Sequence, residues 1–307
     1  METNKVRDDG GIVKMEFTYS YVLDLVYHML AHMSVNNASN LYSEEYMAKI
    51  KEAKGGQFED ITESMGQLAE YYNKHFERLG MVNFIFFGCQ EVDALKYMIE
   101  QYPYFTTDDK ECFLYPFLAL LQKEELFYES YWKSLYEQSE EARANQEAYL
   151  TKEWGKYKVL GSYFHKDRAI AGISYSMTCN GRGMYIGEDV FAAVVPFTEE
   201  EKEYKGMFLQ LLHEYTHGFT DVMLQQNISM EDGTHGFSEN VVIVFDYYLI
   251  KALCPEDLEA YLYFLSPEAE NGGPIMTEEI LLSVFELPAQ WHERLQQLVK
   301  DICALSI

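Results

Sequence analysis

The sequence predicts an α+β, mostly helical protein. A helical N-terminal region covers residues 1–157, and within 158–307 a small β-sheet leads into a long amphipathic helix and a second helix. Three observations carry this expectation. Apolar residues recur at helical spacing through the first half, and the character switches to β-branched and aromatic segments after Tyr157. An acidic capping signal at Thr198 then restores helical periodicity.

In the first half, Tyr21, Val22, Leu25, Val26, Met29, Leu30 and Met33 trace one helical stripe. Comparable patterns run over 44–52, 59–79, 91–101 and 109–121, and a long charged helix is expected from Gln122 to Lys156. Beyond Tyr157, the segments Val159–Phe164, Ile170–Thr178, Gly183–Ile186 and Val190–Val195 favour strands. Asn180-Gly181 is a hairpin signal between two of them, and Pro196 closes the last. Thr198-Glu199-Glu200-Glu201 reads as a capping box whose acids suit the positive end of a helix dipole. From there to about Leu224, Phe208, Leu211, Leu212, Tyr215, Phe219, Val222 and Met223 fall on one side of a helix. Gly206, Gln210, His213, His217 and Asp221 form the opposite stripe. Breaks at Asn227–Gly236, Pro255 and Asn271–Pro274 divide the remaining helices.

Composition narrows the function classes. A chain of 307 residues with 48 % apolar content supports a sizeable core. The net charge of −26 argues against nucleic acid, which needs clustered Lys and Arg, and disfavours anionic membrane surfaces. Cys89, Cys112, Cys179, Cys254 and Cys303 are scattered and odd in number, and they read as reduced, mostly buried thiols. The N-terminus has no apolar signal region, and the apolar runs Cys112–Leu121 and Val241–Ile250 are too short to span a bilayer. A soluble cytoplasmic protein is the expectation.

The stretch that carries chemistry is His213-Glu214-Tyr215-Thr216-His217. Residues four apart stack on one helical face, so both imidazoles can point at a single metal ion. Glu214 sits about 100° further round, close enough to act on the ion's water without ligating the ion. His28 and His32 repeat the spacing without the glutamate and flank an apolar stripe; they read as core-edge histidines and not as ligands.

The H-E-x-x-H pattern on such a helix, preceded by a small sheet and followed by a second helix, resembles the zincin metallopeptidases. The resemblance covers about residues 158–250. The metzincin continuation is absent, because Thr220 and Met223 stand where Gly and His are needed. The resemblance is therefore to the gluzincin branch, in which a glutamate from the following helix is the third zinc ligand. It implies Zn2+ held by His213, His217 and Glu239, Glu214 as general base, and a peptide or protein substrate lying along the Ile173–Ile186 hairpin or the Val190–Val195 strand. Glu239 shares a helical face with Ile243, Asp246 and Ile250, where a buried carboxylate requires a partner. His235 is the other candidate, as ligand or as oxyanion donor. The acid that gluzincins place four residues after the ligand glutamate is replaced by Ile243, leaving Asp246 or Asp221 to orient a histidine. The alternative from a different class is a helical interaction protein with a structural or vestigial zinc site, which would have no need of Glu214.

Overall fold

In the computed structural model, residues 14–33, 44–83, 85–87, 89–164, 168–177, 182–186, 190–227, 235–266, 269 and 272–305 are described. Strand β1 (Lys14–Thr18) leads into helix α1 (Tyr21–Ala31), which is capped by Ser20, whose Oγ accepts from Leu23 N at 3.3 Å. There follow α2 (Glu44–Lys54), α3 (Gln57–Lys74) and α4 (Asp93–Gln101). Next come α5 (Tyr115–Gln138), α6 (Glu140–Lys156) and α7 (Val159–Phe164). Strands β2 (Arg168–Ser174), β3 (Arg182–Ile186) and β4 (Val190–Pro196) precede α8 (Tyr204–Asn227) and α9 (His235–Leu253). The chain closes with α10 (Leu258–Phe264), α11 (Glu278–Val284) and α12 (Ala289–Ala304).

The four strands form one sheet in the order β1-β2-β4-β3. The first three are parallel, and β3 runs antiparallel on β4. Helices cover both faces. Ala193 and Val195 of β4 join a core with Phe208, Leu211, Leu212 and Tyr215 of α8 and Val244 and Phe245 of α9. Val194, between them in sequence, joins the other core, built from α1, α3, α4 and α5. This alternation is the pleat of the strand read out as burial. It makes the N-terminal helices the backing of the sheet, while the motif helix lies on its opposite face.

Several expectations need correction. β1 lies within the stretch read as wholly helical and pairs with β2, with an Arg168–Glu16 ion pair at 2.8 Å across that junction. Val159–Phe164 is helix, not strand. The bond from Leu160 N to Tyr157 O at 3.0 Å begins that turn and buries Leu160, so packing overrides strand propensity. The long charged helix is two helices, broken at Ser139, where φ is −102° and ψ 14° and a buried hydroxyl reaches Tyr175 Oη at 2.5 Å. No box forms between Thr198 and Glu201. Thr198 Oγ1 instead accepts from Glu200 N at 3.1 Å and donates to Glu203 at 2.7 Å, and a 3-10 turn over Glu201–Glu203 precedes α8. β2 pairs with β4 and not with β3, so no β2–β3 hairpin exists; Asn180 and Gly181 lie outside the described residues. β4 is internal to the sheet and cannot offer an edge to a substrate, whereas β3 is an edge strand among the described residues.

Candidate metal centre

The motif residues sit in the middle of α8 with their apolar neighbours inward. Tyr215 is fully buried against Trp154, Phe191 and Phe219, which fixes the rotation of the helix about its axis. That rotation turns His213, Glu214 and His217 away from the core, and α9 lies alongside. The two imidazoles stand edge to face, ring centres 4.7 Å apart, with their Nε2 atoms at 3.1 Å. Glu239, on the first turn and a half of α9, reaches both: Oε2 lies 3.4 Å from His213 Nε2 and Oε1 lies 3.4 Å from His217 Nε2. Side-chain exposures of 12, 18 and 33 % leave the group reachable from solvent.

Two imidazole nitrogens and a carboxylate at these separations could hold one small cation. Bonds of about 2.0–2.1 Å at tetrahedral angles put neighbouring ligands about 3.3–3.4 Å apart. Two nitrogens and a carboxylate oxygen suit a zinc-type ion better than magnesium or calcium, which take oxygen.

Asp246 decides what His213 presents. Its side chain is buried, and Oδ2 lies 3.0 Å from His213 Nδ1, so that nitrogen carries a hydrogen and Nε2 is the nitrogen turned to Glu239 and His217. Thr216 Oγ1 lies 2.6 Å from the other Asp246 oxygen and 2.9 Å from the His213 carbonyl. Burial pushes the His213 pKa down, but the bonds to Asp246 and Glu239 more than reverse this and raise it to about 10. For Glu239, burial pushes the pKa up, and the two histidines outweigh it, holding the carboxyl well below the usual carboxylate range. Both shifts come from the same contacts between the imidazoles and the carboxylates.

Glu214 points beside the donors and not among them. Gln210, one turn earlier on α8, donates Nε2–H to Glu214 Oε1 at 2.9 Å. Strand β3 closes over the residue, where a Cβ built at Gly183 would stand 2.8 Å from Glu214 Cβ and 3.1 Å from Oε2. Only glycine allows this approach.

His213, Glu214, His217 and Glu239 are thus brought together, and Asp246 takes the orienting position that the sequence left open between it and Asp221. The side chains of His235 and Asp221 lie outside the described residues. Gln210, Thr216 and Gly183 were not anticipated. Gln210 is detectable in retrospect, since a residue four before a glutamate on a helix faces it. Gly183 gives no such signal, because it comes from another element.

A second group of possible ligands is buried in the N-terminal core. His28, His32 and Glu124 bring donor atoms within 4.8 Å of one another, and both histidines are more deeply buried than a core-edge reading implies. Among the described residues no helix is long and apolar enough to cross a membrane. Compared with family models, with curated proteins and with solved structures, the chain matches none.

Proposed function

We propose that this chain is a zinc-dependent hydrolase of peptide bonds, of the kind its motif resembles, with His213, His217 and Glu239 as ligands and Glu214 as general base. The observation that carries the reading is the convergence of two imidazole nitrogens, 3.1 Å apart, on one carboxylate whose two oxygens each lie 3.4 Å from one of them, beside a separately held glutamate. A structural site closes all its positions with protein ligands and has no use for that glutamate. Zinc, when bound, supplies Lewis acidity, polarising a carbonyl and making water a stronger acid near neutral pH.

The chain's own residues do the rest. Asp246 fixes the tautomer of His213. Gln210 occupies Oε1 of Glu214, so Oε2 is the atom left to take a proton from water and return it to the departing amine. β3, as an edge strand above Glu214, is the element along which an extended peptide would align.

The test is metal analysis together with digestion of an unbiased peptide mixture read by mass spectrometry. Wild type should carry about one zinc at this centre and cleave. Glu214→Gln should keep the zinc and lose about 10²–10⁴ in rate. Equal cleavage by both proteins assigns the activity elsewhere and overturns the reading, as does wild type that takes up no zinc.

A further inference from the structure

The buried group in the N-terminal core repeats the geometry of the motif on a different helix. His28 and His32 stand edge to face at 4.9 Å and 85°, against 4.7 Å and 84° for His213 and His217. In each case a glutamate from another helix completes the set, here Glu124 of α5, with Oε1 2.9 Å from His28 Nε2.

The hydrogen bonds around these rings leave a bare lone pair on His32, and a second can be freed on His28. His32 Nδ1 lies 2.9 Å from Thr62 Oγ1, and that hydroxyl donates its own hydrogen to Phe58 O at 3.0 Å. Nδ1 must therefore be the donor, and Nε2 carries a bare lone pair. This Nε2 is buried without a hydrogen-bond partner, on a residue only 4 % exposed. A buried acceptor with no donor is costly, and an electron-pair acceptor such as a metal ion removes the cost. At His28, Nδ1 lies 2.8 Å from the Tyr46 hydroxyl, which passes its hydrogen to Ser176 Oγ at 3.1 Å. That relay can accept Nδ1–H and free Nε2 for a ligand, as Asp246 does for His213.

We infer that His28, His32 and Glu124 form a second zinc-type metal site, at which the ion competes with the Lys54 ammonium for Glu124. Lys54 is bonded to both Glu124 oxygens, and its side chain is 2 % exposed. It is the last residue of α2 and precedes Gly55, at φ +60°, and Gly56, neither of which has atoms packed where a Cβ would stand. The ammonium thus enters the cluster from an unpacked turn. Charge also favours the exchange. Glu124 and buried Asp24, which accepts from Ser176 N at 3.3 Å, supply two negative charges to this network. A divalent ion at Glu124 brings one more positive charge to this network than the ammonium does. Two imidazoles and one carboxylate select zinc-type ions over magnesium and calcium.

This inference rests on residues separate from those of the proposed hydrolase, so one experiment separates the two. Full-length protein stripped with chelator is dialysed against zinc chloride, and bound metal is counted per chain. Wild type should hold about two zinc ions, the His213→Ala/His217→Ala variant about one, and His32→Ala about one. One zinc in wild type and none in His213→Ala/His217→Ala overturns the second site and leaves the hydrolase reading intact. One zinc that survives His213→Ala/His217→Ala and is lost in His32→Ala supports the second site and overturns the hydrolase reading. Lys54→Met removes the competitor and should tighten the second zinc by more than about tenfold, since a like charge beside the ion is gone. Should His32→Ala fail to fold, this variant decides alone, and no tightening in it overturns the inference.

Discussion

Gly183→Ala is the most searching single substitution for the proposed mechanism, because it alters the surroundings of Glu214 without touching a metal donor. The added methyl would stand 2.8 Å from Glu214 Cβ, 3.1 Å from Glu214 Oε2 and 3.1 Å from Phe191 Cζ. Carbon atoms in contact prefer about 3.5–4.0 Å, so β3 and α8 must part by about 1 Å or the Glu214 side chain must turn. Neither is free. Phe191 is fully buried and packed edge to face on Tyr215, which blocks retreat on one side, and the Gln210 bond of 2.9 Å resists rotation. Overpacking of this size costs about 1–3 kcal/mol of stability, and a base displaced by about 1 Å loses on the order of 10² in rate. The assay is peptide-mixture cleavage beside zinc content and the thermal midpoint. Zinc should stay, the midpoint should fall by several degrees, and cleavage should nearly vanish. Gly236→Ala, at the start of α9 with nothing within 4 Å of the added atom, is the control and should keep its rate. A Gly183→Ala protein that cleaves at the wild-type rate would mean that β3 does not seat Glu214, and the role given to Oε2 would fall with it.

Three further outcomes are expected. Asp246→Asn keeps the shape and can still pair with His213 and Thr216, but it loses the charge behind His213 Nδ1; zinc affinity measured by chelator competition should drop about 10–100-fold with little change in fold. Gly66→Ala, at an exposed position inside α3 with nothing within 4 Å of the new methyl, should stabilise by about 0.5–1 kcal/mol, read in urea melts. Burial raises the Asp24 pKa to about 6 against the bonds from Ser174, Tyr175, Trp132 and Ser176, so the folded state binds the proton more tightly than the unfolded chain. The stability this supplies is fully present below the unfolded value near pH 4 and is lost as pH rises through about 6. Wild type should therefore lose about 2 kcal/mol relative to Asp24→Asn between pH 4 and 7, and parallel pH profiles for the two proteins would refute the assignment.

What could be read from the sequence and what could not divide along contact range. The stripe of α1, the motif face of α8 and the apolar run of β4 are local patterns, and each stands where its spacing puts it. Glu239 was legible because a carboxylate on the inward face of a helix after the motif needs a partner. Asp246, two turns further along the same face, was one of two candidates for the orienting acid, and the sequence did not choose between it and Asp221. The strand order was not legible, since β1 finds β2 across a separation of some hundred and fifty residues and nothing in Lys14–Thr18 announces it. Val159–Phe164 misled because its composition is that of a strand while its neighbours demand a helical turn. Glu124 is one of many glutamates on a charged helix, and only the fold brings it against His28.

The charges around the motif follow from what each carboxylate must do. Glu239 and Asp246 sit on one face of α9 and address opposite nitrogens of the same ring, Nε2 at 3.4 Å and Nδ1 at 3.0 Å. With a raised pKa of about 10, the His213 ring is protonated at neutral pH, so a metal taken up at Nε2 would release a proton. Two negative charges would then face one divalent ion. Glu214 is a third carboxylate in the same space, and it is held by an amide and not by a lysine or arginine. A cationic partner would have fixed Glu214 by charge, opposed the ion and weakened the carboxylate as a proton acceptor. Gln210 sets the direction of the side chain and leaves its charge in place. The proton transfer proposed for Glu214 would use that choice, whereas a site that only holds metal would gain nothing from it.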